Sequence, residues 1–84
     1  MQMIARYNVA EYAAFKTAFD ADAEDRANNG LSLLQLWRED DRNAWALFSV
    51  SDTKAARDYL QGAAGVFYSH GGVIKTDYHF VETA

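Results

Sequence analysis

The chain of 84 residues contains no cysteine, only eight basic residues, only two histidines and no long apolar run. Without cysteine there is neither a disulfide nor a thiolate metal site. A domain this short buries roughly 60% of the surface its unfolded chain exposes, so it needs some added source of stability. Oligomerisation is the one that remains open. The eight basic residues are scattered among twelve acidic ones, for a net charge of −4 and a pI near 4.9. That balance argues against a nucleic-acid partner, which demands clustered Lys and Arg. No stretch approaches the roughly 18 apolar residues of a membrane span. The N-terminal MQMIARYNV has neither the apolar core nor the cleavage pattern of a signal peptide. A cytoplasmic protein with no membrane partner is the expectation.

What is present is a folded domain, half hydrophobic and 14% aromatic. Residues 2–8 alternate loosely as a short strand. From Val9 the period changes, and Tyr12, Phe15, Phe19, Ala23 and Ala27 recur at helical spacing to about Asn28. Asn8, with Glu11 three residues later, predicts the cap of that helix, and Tyr7 and Tyr12 its hydrophobic staple. Asn29-Gly30 ends it. Residues 31–38 and 43–50 form two strands joined by the polar turn 39–42. Ser51-Asp52 caps a second helix from Thr53. It carries Ala56, Tyr59, Leu60, Ala63 and Phe67 on one stripe, with a break near Gly62 and a shorter piece to His70. Gly71-Gly72 stops it, and 73–82 is the last strand. The order β-α-β-β-α-β is the split-βαβ, ferredoxin-like plan: α+β, one antiparallel sheet, two helices on one face, a single domain over residues 1–84.

The segment LSLLQLWRE, residues 31–39, is apolar on both faces if it is a strand. With a regular hairpin, Leu36 faces Trp45 and Leu34 faces Leu47 on one side. Trp37 faces Ala44, Gln35 faces Ala46 and Leu33 faces Phe48 on the other. A sheet with one face in water would show polar alternation instead.

The stretch YNVAEYAAFKTAFDADAEDRANNGLSLLQLWREDDRNAWALFSVSDTKAARDYL, with DYHFVE near the end, resembles the dimeric α/β-barrel superfamily, in particular small proteins related to antibiotic-biosynthesis monooxygenases. The shared features are the aromatic pair opening the first helix, Gly before the second strand, Leu-Trp-Arg ending that strand, the acidic turn, and Val-Ser-Asp entering the second helix. The resemblance implies that helix-free sheet faces of two subunits meet. Leu34, Leu36, Trp45 and Leu47 would then form the interface of a homodimer, the apolar patch such a face presents. Related haem-degrading enzymes combine an Asn with a Trp and a His. Asn8, Trp45 and His70 do not match that spacing, so the trio is not transferred.

The residues offer few chemical motifs. DADAED, residues 20–25, fails as a calcium loop, because Asp25 stands where Gly is needed and Leu31 where a bidentate Glu is needed. His70 and His79 belong to no HxxH or HExxH pattern, and neither a metal nor a cofactor is expected. The aromatics Tyr12, Phe15, Phe19, Trp37, Phe48 and Phe67 should converge between helices and sheet, with Gln35 and His70 as polar neighbours. The small segment GAAG, residues 62–65, would fill space poorly above them. An apolar cavity with a few polar groups is how small-molecule sites look. Three functions follow. The first is a homodimer binding an apolar or aromatic small molecule. The second is a cofactor-independent monooxygenase or isomerase of a phenolic or quinone-like substrate, with His70 or His79 as base and Tyr68 or Tyr78 as donor. The third is a structural dimer without ligand.

Overall fold

The computed structural model describes all residues, Met1–Ala84. The strands are β1 (Gln2–Val9), β2 (Leu31–Asp40), β3 (Asn43–Val50) and β4 (Val73–Val81). The helices are α1 (Tyr12–Ala21), α2 (Ala23–Asn28), α3 (Thr53–Gln61) and α4 (Ala64–His70). The sheet is fully antiparallel in the order β2-β3-β1-β4, with the helices on one side. This is the ferredoxin-like α+β plan, with each expected helix divided in two.

The division has local causes. The first helix bends at Asp22, which has left helical geometry (φ −90°, ψ 2°). Ala23 and Ala27 are exposed, and the inward face carries instead Arg26, which is 4% exposed and continues the helical stripe of Phe15 and Phe19. The second helix breaks at Gly62, where the sequence places it, since glycine is poor in a helix interior. At its start, the Asp52 carboxylate accepts from the backbone N–H of Ala55 at 3.0 Å. Asn8, by contrast, is no cap. It lies in β1, and its Nδ2 donates to the Arg42 carbonyl at 3.3 Å, while α1 begins only at Tyr12 with no side-chain cap. Gly30 has φ +83°, and a Cβ there would meet backbone atoms of Asp52 at 3.0 Å. The turn into β2 and the start of α3 therefore pack against each other only because residue 30 is glycine.

The central pairing is regular. Met3, Ala5 and Tyr7 of β1 stand opposite Phe48, Ala46 and Ala44 of β3, and opposite Phe80, Tyr78 and Thr76 of β4. All face the helices. Edge strand β2 departs from the regular hairpin. Leu33 pairs with Phe48 as expected, but the next pair is Gln35 with Leu47, so Leu34 is an extra residue. A one-residue shift reverses the face of every side chain beyond it. Leu36 therefore pairs with Ala46 on the helix side, and Trp37 with Trp45 on the other. Gln35 lies on the helix-free face rather than under the helices. A second extra residue, Glu39, precedes the two-residue turn Asp41-Arg42. The core between helices and sheet is aromatic, with Phe15, Phe19 and Phe48 wholly buried.

Candidate functional site

The helix spacing of Phe15 and Phe19 and the strand alternation of Met3, Ala5 and Tyr7 bring one ring system together. Ring centroids lie 5.1 Å apart for Tyr7–Phe15, 5.3 Å for Phe15–Phe19, 5.8 Å for Phe19–Phe67 and 6.2 Å for Phe19–Phe48. These distances suit offset and edge-to-face packing. Tyr12 sits at the border, 5.9 Å from Phe15, with the Arg38 guanidinium 5.3 Å above it. Of the residues expected at the pocket, Phe15, Phe19, Phe48 and Phe67 converge and Tyr12 adjoins them. Gln35 and Trp37 are exposed on the helix-free side of β2, and His70 is exposed at the end of α4.

A charge sits inside this apolar interior. The Arg26 guanidinium carbon lies 3.8 Å from the Phe19 ring centroid and 6.0 Å from those of Phe48 and Phe67. Its Nη1 is 3.6 Å from Asp22 Oδ2, an ion pair beyond hydrogen-bond length, and has no hydrogen-bond acceptor. The same Asp22 Oδ2 accepts a hydrogen bond from the Tyr59 hydroxyl. Burial, then this hydrogen bond to Asp22, raises the Tyr59 phenol well above its ordinary value. Burial likewise raises Tyr7. Tyr68 and Tyr78, the expected donors, do meet, hydroxyl to hydroxyl at 2.7 Å. Burial, then that bond, raises Tyr68. Thr76, across from Tyr7, carries the other buried polar atom without a partner, its Oγ1.

Tyr7, Arg26, Tyr59 and Tyr68 line one gap between helices and sheet, closed by Phe48 and Phe67. The gap is shut and has no room for a water molecule. Ala64, of the GAAG segment, is fully buried in its wall, so small residues fill this space instead of leaving it open. Beside it, a groove of about 150 Å³ runs between α1 and α4, walled by Ala18, Ala21 and Val66, with Asp22, Phe67 and His70 along it. Phe67 borders both spaces. Tyr7, Asp22, Arg26 and Tyr59 were not foreseen as a site. One signal was available: Phe15, Phe19, Asp22 and Arg26 stand at i, i+4, i+7 and i+11, so the core stripe runs into an i, i+4 charge pair.

The opposite face has a different character. Ile4 stands between Leu47 and His79, and Arg6 between Trp45 and Asp77. The Arg6 guanidinium lies 5.5 Å from the Trp45 ring, whose Nε1 donates to Glu39 at 2.6 Å. Trp37, 47% exposed, continues the patch beside Trp45. Of the four residues expected at a dimer interface, Trp45 and Leu47 lie on this helix-free face. Leu34 is the extra residue of the bulge and 51% exposed, and Leu36 faces the helices. No three His, Cys, Asp or Glu side chains come together as a metal cluster, and no helix is long and apolar enough to cross a membrane.

No family model and no curated protein matches the chain. Solved structures do. SnoaB, a cofactor-independent oxygenase from Streptomyces nogalater, superposes with a TM-score of 0.71 at 20% identity, covering 99% of this chain and 92% of SnoaB. The fold is that of the antibiotic-biosynthesis monooxygenases. A Deinococcus radiodurans protein assigned to that group gives 0.66 at 11% identity, over 100% of this chain and 95% of the other. The C-terminal domain of MgtC from Mycobacterium tuberculosis gives 0.63 at 16%, over 93% and 84%. The monooxygenase fold is thus shared with a protein of a different name, and identities this low carry the fold and not the activity.

Proposed function

We propose that the chain forms a homodimer that binds an apolar or aromatic small molecule between the helices and the sheet. The observation that carries this reading is the set of polar groups gathered in an otherwise aromatic interior: Arg26, Asp22, Tyr59 and Tyr7, next to the groove between α1 and α4. A buried guanidinium costs several kcal/mol to desolvate, which the Phe19 ring and the Asp22 carboxylate offset only in part. A binding site uses such groups to orient its ligand. Phe67, shared by groove and gap, is the side chain whose movement joins the two. Of the residues in this reading, Arg26, Phe48 and Phe67 line the gap and His70 the groove, while Phe15, Phe19 and Tyr12 stand behind them in the aromatic interior. The dimer half rests on Ile4, Trp37, Trp45 and Leu47, an apolar patch on a helix-free sheet face.

Native mass spectrometry of freshly purified protein, followed by a denatured run, tests both halves. The expected result is a dimer whose extra mass vanishes on denaturation. A monomer at micromolar concentration refutes the dimer. A protein that stays bare and also binds none of a panel of aromatic compounds refutes the site.

The second reading is catalytic: a cofactor-independent oxygenase or isomerase of a phenolic or quinone-like substrate. The likeness to SnoaB in fold favours it, together with a carboxylate, Asp22, placed against a phenol and a guanidinium. Such a group could remove a proton from a bound phenol or carbon acid. Consumption of oxygen with a dihydroxy aromatic, lost in Asp22→Asn, is the expected outcome. Equal uptake in that variant would remove Asp22 from the role.

A further inference from the structure

Strands β2 and β4 are the two edges of the sheet, and they differ. β2 is interrupted by two extra residues, Leu34 and Glu39, and such irregularities keep an edge from pairing with another chain. β4 has its irregularity at the start, where Ile74 is skipped between Val73 and Lys75. From Lys75 to Val81 it is regular and contains no proline. The backbone direction of that stretch follows from β1 beside it. The Val9 N–H donates to the Arg42 carbonyl at 2.8 Å and the Met1 carbonyl accepts from the Val50 N–H at 3.0 Å, both on the β3 side. The Ala10 N–H donates to the Gly72 carbonyl at 2.9 Å, on the β4 side. Successive residues of a strand turn their backbone groups to opposite sides. Gln2, Ile4, Arg6 and Asn8 therefore bond to β4, through Val81, His79, Asp77 and Lys75. Thr76, Tyr78 and Phe80 direct their N–H and C=O groups outward, where no other segment of the chain pairs with them.

This edge is complementary to itself. We infer that Lys75–Val81 pairs antiparallel with the same segment of a second copy, on a two-fold axis through Tyr78. In that register every outward N–H meets an outward C=O: Tyr78 stands opposite its own copy, and Thr76 opposite Phe80. The side chains agree with the backbone. Asp77 and His79 lie together on the helix-free face, and the axis sets each opposite the other across the two copies. An imidazole N–H then meets a carboxylate twice, at the pairs where side chains approach most closely. Neighbouring registers fit less well. An axis at Asp77 sets two carboxylates opposite each other, which is destabilising. An axis at His79 sets Thr76 opposite Glu82, beyond the end of the strand. The contact goes beyond the face-to-face dimer proposed above and does not depend on it, since it uses the edge and leaves the face free. A chain that uses both contacts joins dimers into a larger assembly. The edge contact is narrow and buries little apolar surface, so it is the weaker of the two and forms at millimolar rather than micromolar concentration.

The test is amide hydrogen exchange of the full chain by NMR, at micromolar and at millimolar protein, with sedimentation at both. Raising the concentration should slow exchange at Thr76, Tyr78 and Phe80 by about tenfold or more, as their amides gain partners. Asp77 and His79, whose amides already bond to β1, should change little. Leu47→Lys, which breaks the face contact, should keep this alternating protection. Thr76→Pro removes an outward N–H that β1 does not use, and should abolish the protection of Tyr78 and Phe80. Should that variant not fold, His79→Asp, an exposed substitution, sets two carboxylates against each other and should also abolish it. Adding Asp77→His to His79→Asp exchanges the two partners and should restore it. Edge amides that exchange equally fast at both concentrations overturn the pairing, while a dimer at micromolar protein would still stand for the face contact. Equal slowing of Thr76, Asp77, Tyr78 and His79 reports a stiffer strand and overturns it too. Protection that survives in His79→Asp overturns the register on Tyr78. Protection that vanishes in Leu47→Lys overturns the independence of the two contacts.

Discussion

The two faces of the sheet are built from alternate residues of the same strands, yet they reach different ends. On the helix side, Met3, Ala5 and Tyr7 are at most 2% exposed, and their neighbours are aromatic rings of this same chain. On the other side Ile4 and Leu47 are only half-buried, between Arg6 and His79, which stand in water. Alternation supplies both faces with apolar groups, and four helices cover one. The comparison teaches that burial here is decided by what lies above a residue, not by its own hydropathy. It also inverts the usual placement of charge: the helix-covered face hides an arginine, while the open face exposes tryptophan.

The sharpest way to break the comparison is at the buried charge. Asp22→Ala leaves Arg26 without its counterion and should cost about 3–5 kcal/mol of stability, read as a lower urea midpoint. Arg26→Met should be milder, because the carboxylate it leaves, Asp22, is 13% exposed and keeps the Tyr59 hydroxyl. Similar losses in the two variants would mean that the guanidinium is not desolvated.

The open face comes next. Leu47→Lys should weaken the proposed self-association by about 2 kcal/mol, roughly 1 kcal/mol for the exposed half of the leucine in each of the two subunits, and give a monomer in analytical ultracentrifugation. A sedimentation profile unchanged by this substitution would place the interface elsewhere.

Alkali should separate the faces further. Burial holds Tyr7 and Tyr59 protonated in the folded chain, whereas the unfolded phenols ionise near pH 10. Below pH 10 both states keep the proton and stability is flat. Above it the unfolded state releases protons that the folded state retains, so stability falls by about 1.4 kcal/mol per pH unit for each such tyrosine. Tyr59→Phe should lessen that slope by about 1.4 kcal/mol per pH unit and leave the part due to Tyr7. Denaturant titrations at pH 8, 10 and 11 give the answer.

The smallest effect concerns Leu34. Because it is the extra residue, deleting it leaves Leu33 opposite Phe48 and Gln35 opposite Leu47. The deletion should change stability by less than about 0.5 kcal/mol, with native-like NMR shifts in β3. A loss of several kcal/mol would show that the bulge itself shapes the sheet.

That residue also marks where reading the sequence stops. Strand positions were legible because period-2 segments are bounded by turn signals, and β3 falls on 43–50 as expected. The α3 cap at Asp52 and the break at Gly62 followed from local chemistry. The bulge did not, because β2 is apolar at 33, 34, 36 and 37. A shift of one residue replaces leucine and tryptophan by leucine and tryptophan, and hydropathy registers no difference. The candidate site was legible in its rings and not in its charges. Phe15, Phe19, Phe48 and Phe67 announce a core by spacing, whereas Asp22 reads with the rest of residues 20–25 as the solvated back of a helix. Arg26 continues the helical stripe of Phe15 and Phe19, and the rings of Phe48 and Phe67, distant in the chain, are what bury it.

By itself, then, the sequence determined the element order, the antiparallel α+β plan and the aromatic interior, since these rest on period, capping and turn chemistry between near neighbours. Only the tertiary structure decided the face to which Gln35, Leu36 and Trp37 turn, the burial of Arg26 against Asp22 and Tyr59, and the closure of the gap over Ala64. Those outcomes depend on contacts between residues distant in the chain, whose energies differ little between alternatives that look alike in sequence.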